Sequence, residues 1–287
     1  MPHADLRSQS DYYRRTTVAK MDELPSLPLS RPPAAPPGAA DVRHDGRTID
    51  QLRPLRMQLG VVGQAAGSAY LELSDTKVVC SVFGPHQTEG REYMQRGSLE
   101  TTLRFTSFAR RERSRNPSPA STAEERELSM ALGSALEGSV QLDQYPKSTI
   151  AVHALVLQDD GGALAAAVTC ASLALADAGL QLYDMVAACS CAVRGEVVML
   201  DCCRDELRAD VTGRTFIAQM PVLSHTTLLR QSGAASFAHV TEAMQLALSG
   251  CGTVHGQMRA ALLDKVRAQP PPAAAQPPAE SVEPAAG

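Results

Sequence analysis

The sequence predicts an α+β fold built from two similar halves. Three observations carry that expectation. Clusters of short β-prone runs are followed by helical stretches, and this happens twice along the chain. Two helices announce themselves by apolar residues at helical spacing with defined ends. Both termini lose all packing period, so the folded part is confined to about residues 41–268.

Taken in order, residues 1–40 form an N-terminal tail whose later part, "MDELPSLPLSRPPAAPPGAA", is too rich in proline and alanine to bury a core. From Arg56 to Pro85 the runs "RMQLGVV", "GSAYLELS" and "TKVVCSVFG" read as strands, with Ser74-Asp75 as the turn between the last two. "SLETTLRFTSF" reads as a further strand, and "ARRERSRNPSPAS" as a loop. A helix follows, opened by a Thr122/Glu125 capping box, with Leu128, Ala131, Leu132, Ala135 and Leu136 in one stripe, and closing near Gly138. The strand "STIAVHALVLQ" then runs into an Asp-Asp-Gly-Gly turn. A second helix leaves that turn, with Leu164, Val168, Ala171 and Leu175 on one face and Gly179 as its end.

The second half repeats the style. "DMVAACSCAV", "EVVMLD", "RTFIAQMPVLS" and "TTLLRQSG" are its strands, and an amphipathic helical segment over about 234–266 closes it. Gly250 and Gly252 are expected to break that helix, because a glycine costs about 1 kcal/mol in a helix interior. The C-terminal tail, 269–287, is again Pro/Ala-rich.

Composition narrows the function classes. The 287 residues are 44% hydrophobic and 20% charged with net charge −4, a globular balance. The N-terminus lacks a continuous apolar stretch, so no secretory signal is expected, and the apolar runs are too short to span a membrane. An odd count of seven cysteines without such a signal points to a reducing compartment.

Four features could carry chemistry. The turn Asp159–Gly162 opens a helix, where free N–H groups and the helix dipole favour an anion. The next residues, Ala163 and Leu164, supply no cation or hydroxyl, which favours a tight strand-to-helix connection. The segment "LDCCRDELRAD" gathers Asp201, Asp205, Glu206 and Asp210 and could hold a divalent cation. Arg204 and Arg208 sit among those acids, so a solvated charged segment is the favoured reading. The cysteines have no C-x-x-C pair, which favours buried packing over zinc, and the scattered histidines form no triad. Last, Arg104, Arg110, Arg111, Arg113 and Arg115, interrupted by Glu112 alone, leave residues 104–115 at +4 in an acidic chain. That excess suits a polyanion such as RNA, or equally a solubilising loop.

Taken together, "HDGRTIDQLRPL", "QAAGSAYLELSDTKVVCSVFGP", "EERELSMALGSALEGSV", "YPKSTIAVHALVLQDDGGALAAAVTCASLALADAG" and "AQMPVLSHTTLL" resemble, in order, the landmarks of the RNase PH-type subunits of the RNA exosome. The resemblance implies an RNase PH-like domain (ribosomal protein S5 domain 2-like) over 41–268. It implies a six-subunit ring of related chains, RNA threaded through its pore, and cap subunits with S1 and KH modules. It also implies nuclear, nucleolar and cytoplasmic work in RNA degradation and rRNA processing, with no membrane and no cofactor. Active members attack RNA from its 3′ end with inorganic phosphate, held by the last two residues of an Asp-Gly-Gly-Thr-Arg turn.

Here Gly161 and Gly162 remain, but Ala163 and Leu164 stand at the two ligand positions. Active members also place two aspartates before the Met-Pro landmark, here Met220-Pro221. Counting back, the nearer position is Arg214 and the farther falls near Leu207 or Arg208, with Asp205 and Asp210 close by. A cation at a metal position repels the metal, so the resemblance implies a subunit without catalysis of its own. Two alternatives stay open. One is an active phosphorolytic exoribonuclease using Asp205 and Asp210. The other is a small-molecule phosphotransferase, which would need a longer Gly/Ser-rich loop than this sequence has.

Overall fold

Two sheets sandwich a helical layer, and the same strand-then-helix order produces each half. A computed structural model describes residues 43, 45–87, 96–111, 119–208 and 211–268, all within one compact unit, 40–287. The two tails, 1–40 and 269–287, and the residues His44, Glu112, Arg113, Arg115 and Asp210 lie outside the described residues.

The first sheet has the order β1-β2-β3-β5-β4. Its strands are β1 (Leu55–Leu59), β2 (Gly67–Leu73), β3 (Thr76–Gln87), β4 (Ser98–Phe105) and β5 (Ser148–Gln158). All neighbours are antiparallel except β4 and β5, which run parallel and are joined through helix α1 (Pro119–Glu137). The second sheet is β7-β6-β8-β9, antiparallel throughout, from β6 (Ala187–Arg194), β7 (Val197–Leu200), β8 (Gly213–Met220) and β9 (His225–Gly233). Among the described residues no helix is long and apolar enough to cross a membrane.

Helix α2 (Ala163–Asp177) lies between the sheets, packed on β2, β3 and β5 on one side and β6 and β8 on the other. Twelve of its fifteen residues are buried, far more than the single stripe the spacing predicted. That is why it is rich in alanine: a helix buried all round needs small side chains to admit two sheets at once. Gly67 on β2 shows the closeness, since a Cβ there would sit 2.3 Å from the backbone nitrogen of Ala178.

Helix α1 opens three residues before the expected capping box, at Pro119, a residue suited to the first turn. Thr122 is therefore inside the helix, and the Glu125 carboxylate accepts instead from the Phe105 backbone N–H at 3.1 Å. Helix α4 (Phe237–Ala268) is continuous through both glycines, against expectation. Gly250 is a packing residue: a Cβ there would meet Leu200 Cδ1 and Cδ2 at 3.2 Å and Cys189 Sγ at 3.1 Å. Gly252 faces open space. Strand ends also shorten. Gly60, at φ +72°, stops β1 before the two valines, and Pro221 stops β8 because it has no N–H to give the ladder.

Candidate functional site: an arginine-lined cleft beside the glycine turn

The turn after β5 is clamped from three directions. Asp159 Oδ1 accepts the Gly161 N–H at 3.0 Å. Thr76 Oγ1 donates to the Gly161 carbonyl at 2.9 Å, and Arg53 Nη2 donates to the same carbonyl at 3.0 Å. The short helix α3 (Arg204–Arg208) and the segment before it come so near that a Cβ on Gly161 would lie 3.0 Å from the Arg204 backbone nitrogen and 2.9 Å from the Cys202 carbonyl oxygen. Gly161 and Gly162 have φ of +93° and +70°, so both positions favour glycine sterically. The turn is the tight connection the sequence favoured, and Ala163 and Leu164 begin α2 from it.

Two acids of the segment, Asp201 and Glu206, are not solvated, contrary to the reading of its sequence, whereas Asp205 keeps exposed surface. Asp201 and Glu206 are 4% and 7% exposed and face three arginines from the start of the domain. Arg53 binds Asp201 through Nη2 at 2.7 Å and through Nε at 3.0 Å. Arg43 forks onto Glu206 at 2.8 and 2.7 Å. Arg47 donates to the Asp201 carbonyl at 3.2 Å. Burial raises both carboxyls, but the Arg53 and Arg43 hydrogen bonds and charges outweigh it and hold them below the usual carboxylate range. Asp160, half-buried and with weaker help from Arg53, is pushed up by burial.

A cleft of about 570 Å³ opens beside the turn. Gly161, Gly162, Ala163 and Leu164 border it, together with Leu207, Arg214, Arg110, Arg204 and Arg230. Arg214, on β8, donates to the Leu207 carbonyl at 3.0 Å. Arg214, the nearer position counted back from Met220-Pro221, and Leu207, one candidate for the farther, thus meet each other and the glycine turn in one place. Arg214 is a cation, and neither Leu207 nor Arg208, the candidates for the farther position, is a carboxylate, so these side chains do not fit a divalent metal. Among the described residues no group of three histidines, cysteines or acids could hold one. Asp205 is turned elsewhere, forked to Arg111 at 3.1 Å on both oxygens.

The arginine cluster divides. Arg104 is exposed on β4, opposite Leu155 of β5. Arg110 reaches the cleft, its guanidinium 4.3 Å from the Phe105 ring centre and forked onto Glu124 at 2.6 and 2.8 Å. Phe105 also borders the cleft, so strand alternation sets Arg104 on the opposite face of the sheet from it. The loop is not uniformly solvated: Arg110 is committed internally, and Arg111, more than half exposed, leans on Asp205.

Sequence reasoning missed Arg43, Arg47, Arg53 and Glu124 as parts of this region. The landmark "HDGRTIDQLRPL" contains two of those arginines, but nothing in spacing links them to acids some 150 residues on. The cysteines are as expected: six of seven are buried and none is bridged, and burial pushes the Cys191 thiol well up.

A two-sheet α+β fold with a glycine turn at the head of its central helix is the architecture of the RNase PH family, and the chain belongs to that family. The 3′ exoribonuclease family, domain 1, matches residues 51–181. The chain is 40% identical over 258 residues to the human exosome complex component MTR3, covering 83% of this chain and 93% of that one. This agrees with the narrower likeness of "SAYLE", "DGGALAAA" and "ALADAGLQLYD" to the subunit called mRNA transport regulator 3. It is 37% identical to the Arabidopsis thaliana exosome complex component RRP41-like, over 76% of this chain and 82% of that one. Of solved structures, rice Rrp46 matches with a TM-score of 0.66 at 24% identity, over 76% of this chain and 98% of that one. The Archaeoglobus fulgidus exosome with RNA bound to the active site matches equally well in fold, at 19% identity, over 76% of this chain and 92% of that one.

Proposed function

We propose that the chain is a non-catalytic ring subunit of an RNA exosome, supporting 3′-to-5′ RNA degradation and processing through assembly and charge along the RNA path. The observation that carries the reading is the state of one cleft: Ala163 and Leu164 head α2 where phosphate ligands would stand, and Arg214 is bonded to the Leu207 carbonyl opposite them. Phosphorolysis depends on positioning and on neutralising charge, and one missing donor alone typically costs about 3 kcal/mol of barrier stabilisation. Resemblance to exosome subunits supports a ring of six related chains, with S1/KH caps and RNA as further partners. Active phosphorolysis through Asp205 is disfavoured by its fork to Arg111.

The test is a labelled 3′-tailed RNA with Mg²⁺ and inorganic phosphate. The full chain releases no nucleoside diphosphate above a mock preparation, and Ala163→Thr with Leu164→Arg does not restore release. Turnover by the unmodified chain overturns the reading.

A further inference from the structure

Helix α4 turns one exposed stripe to solvent along its length, and small residues hold the middle of it. Ser249, Gly252, Gly256 and Ala260 recur there at three- and four-residue spacing, all exposed. Gly252 and Gly256 each cost the helix about 1 kcal/mol relative to alanine. A Cβ on either would meet nothing within 4 Å, so no contact inside the chain accounts for them, in contrast with Gly250. Longer side chains stand outside that middle: Glu242 and Gln245 toward the helix start, Arg259 and Leu263 toward its end. Among the described residues Glu242 and Arg259 have no ion pair. A second observation lies beside the stripe. A groove of about 710 Å³ separates the 47–55 segment from α4, with Ser249 and Thr253 on its helical wall. Arg47 lines the other wall, is 7% exposed, and its Nη2 is buried without a hydrogen-bond partner. Buried donors are paired as a rule, so this one marks a side of the molecule that lacks a covering acceptor.

We propose that this face of α4 is an interface for a second copy of the chain, the two helices lying antiparallel about a two-fold axis at the level of Gly250 and Cys251. A two-fold contact needs a patch that complements itself. Antiparallel apposition at that level sets Glu242 opposite Arg259 of the second copy, twice over by symmetry. It also sets Gln245 opposite Gly256, Leu263 opposite Ala238, and Ser249 opposite Gly252. Each long side chain meets a small one, and each charge meets its opposite. Parallel apposition would instead set Glu242 on Glu242 and Arg259 on Arg259. Glycines at the crossing let the two backbones approach to the close end, about 8 Å, of ordinary helix–helix distances. One helix face is smaller than the roughly 800 Å² per partner of a standard interface, so the dimer is weak, in the micromolar range. The contact is a property of the chain itself and does not rest on ring membership.

The experiment is sedimentation velocity of the full chain across the micromolar range, with Glu242→Arg, Arg259→Glu and the two combined. All positions changed are exposed, so the variants are expected to fold, and thermal melts check it. Each single reversal turns two attractions into two repulsions and should weaken the dimer about tenfold, given exposed charge contacts of ordinary strength. The combined variant restores opposite charges and should return to within about threefold of the unmodified chain. An equimolar mixture of the two single variants should recover as well, because in a mixed dimer every facing pair is again of opposite charge. That mixture carries the test should the combined variant fail to fold. Gly256→Leu takes the space that Gln245 of the second copy needs and should abolish the dimer in a folded chain. Association through strand edges ignores all of these positions, so the same series tells the two apart. A chain that stays monomeric, self-association that the single reversals leave unchanged, a mixture that associates no better than its components, or a dimer that survives Gly256→Leu overturns the proposal.

Discussion

Asp201 ties the start of the domain to its second half, because it meets the Arg53 backbone N–H and side chain together. Removing one charge of a buried pair leaves the other stranded, so Asp201→Asn is expected to lower unfolding stability by about 3 kcal/mol in chemical denaturation. The same group sets a pH dependence. Its folded carboxyl, like that of Glu206, is held below the ordinary value, so the contribution is whole above about pH 4 and fades as pH falls through the lower folded value. Asp160, pushed up by burial, works in the opposite sense. Melting temperature should fall below about pH 4 in the unmodified chain, and the fall should be shallower in Asp201→Asn. A parallel profile in the variant refutes the assignment. None of this was legible in "LDCCRDELRAD", since a run of mixed charges reads identically whether water or distant arginines solvate it. Ala163, Leu164 and Arg214 could be singled out in sequence, because a departure from a motif shows without any knowledge of contacts, and the fold brings all three to one cleft.

Among the elements, α4 separates two glycines that look alike in sequence. Gly250→Ala drives a methyl against Leu200 and Cys189 and should cost about 1–3 kcal/mol. Gly252→Ala meets nothing and should stabilise by about 0.5–1 kcal/mol, read as a raised melting temperature. Spacing alone could not tell them apart, because the difference lies in β6 and β7 beneath the helix. The arginine loop divides by the same kind of contact. Arg104 and Arg111 keep exposed surface, whereas Arg110 is committed to Glu124. In the assembled complex, Arg104→Ala with Arg111→Ala should weaken RNA binding equally across sequences and flatten the salt slope by about 1.4. If slope and affinity hold, that segment is a solubilising surface.

At the scale of the whole molecule, the two-half α+β plan was readable because each helix face and strand run repeats a strong period. The three-layer arrangement was not, since nothing local distinguishes a helix with one buried stripe from α2, enclosed by both sheets. The second sheet ends in β9, an edge strand, near exposed Tyr183, Val222 and Leu223 on adjoining turns. Open edges and apolar surface of this kind pair with other chains. The chain expressed alone is therefore expected to self-associate in sedimentation velocity, and to become soluble with one partner of the same fold. A stable monomer at micromolar concentration counts against the ring role.

The arginines at 43, 47 and 53 meet acids at 201 and 206, and this closure imposes a schedule on synthesis. The Arg53–Asp201 pair alone spans 148 residues, which a ribosome adding about 5–20 residues per second needs roughly 7–30 s to traverse. Once Gln158 has been added the first sheet has all its strands, yet three guanidinium groups at its entrance still wait for counterparts not yet made. The domain is thus completed by its late residues, and a nascent chain halted before Asp201 keeps its beginning unlatched. Pulse proteolysis of stalled chains should show protection of the 43–53 segment arriving only after residue 206 has left the exit tunnel.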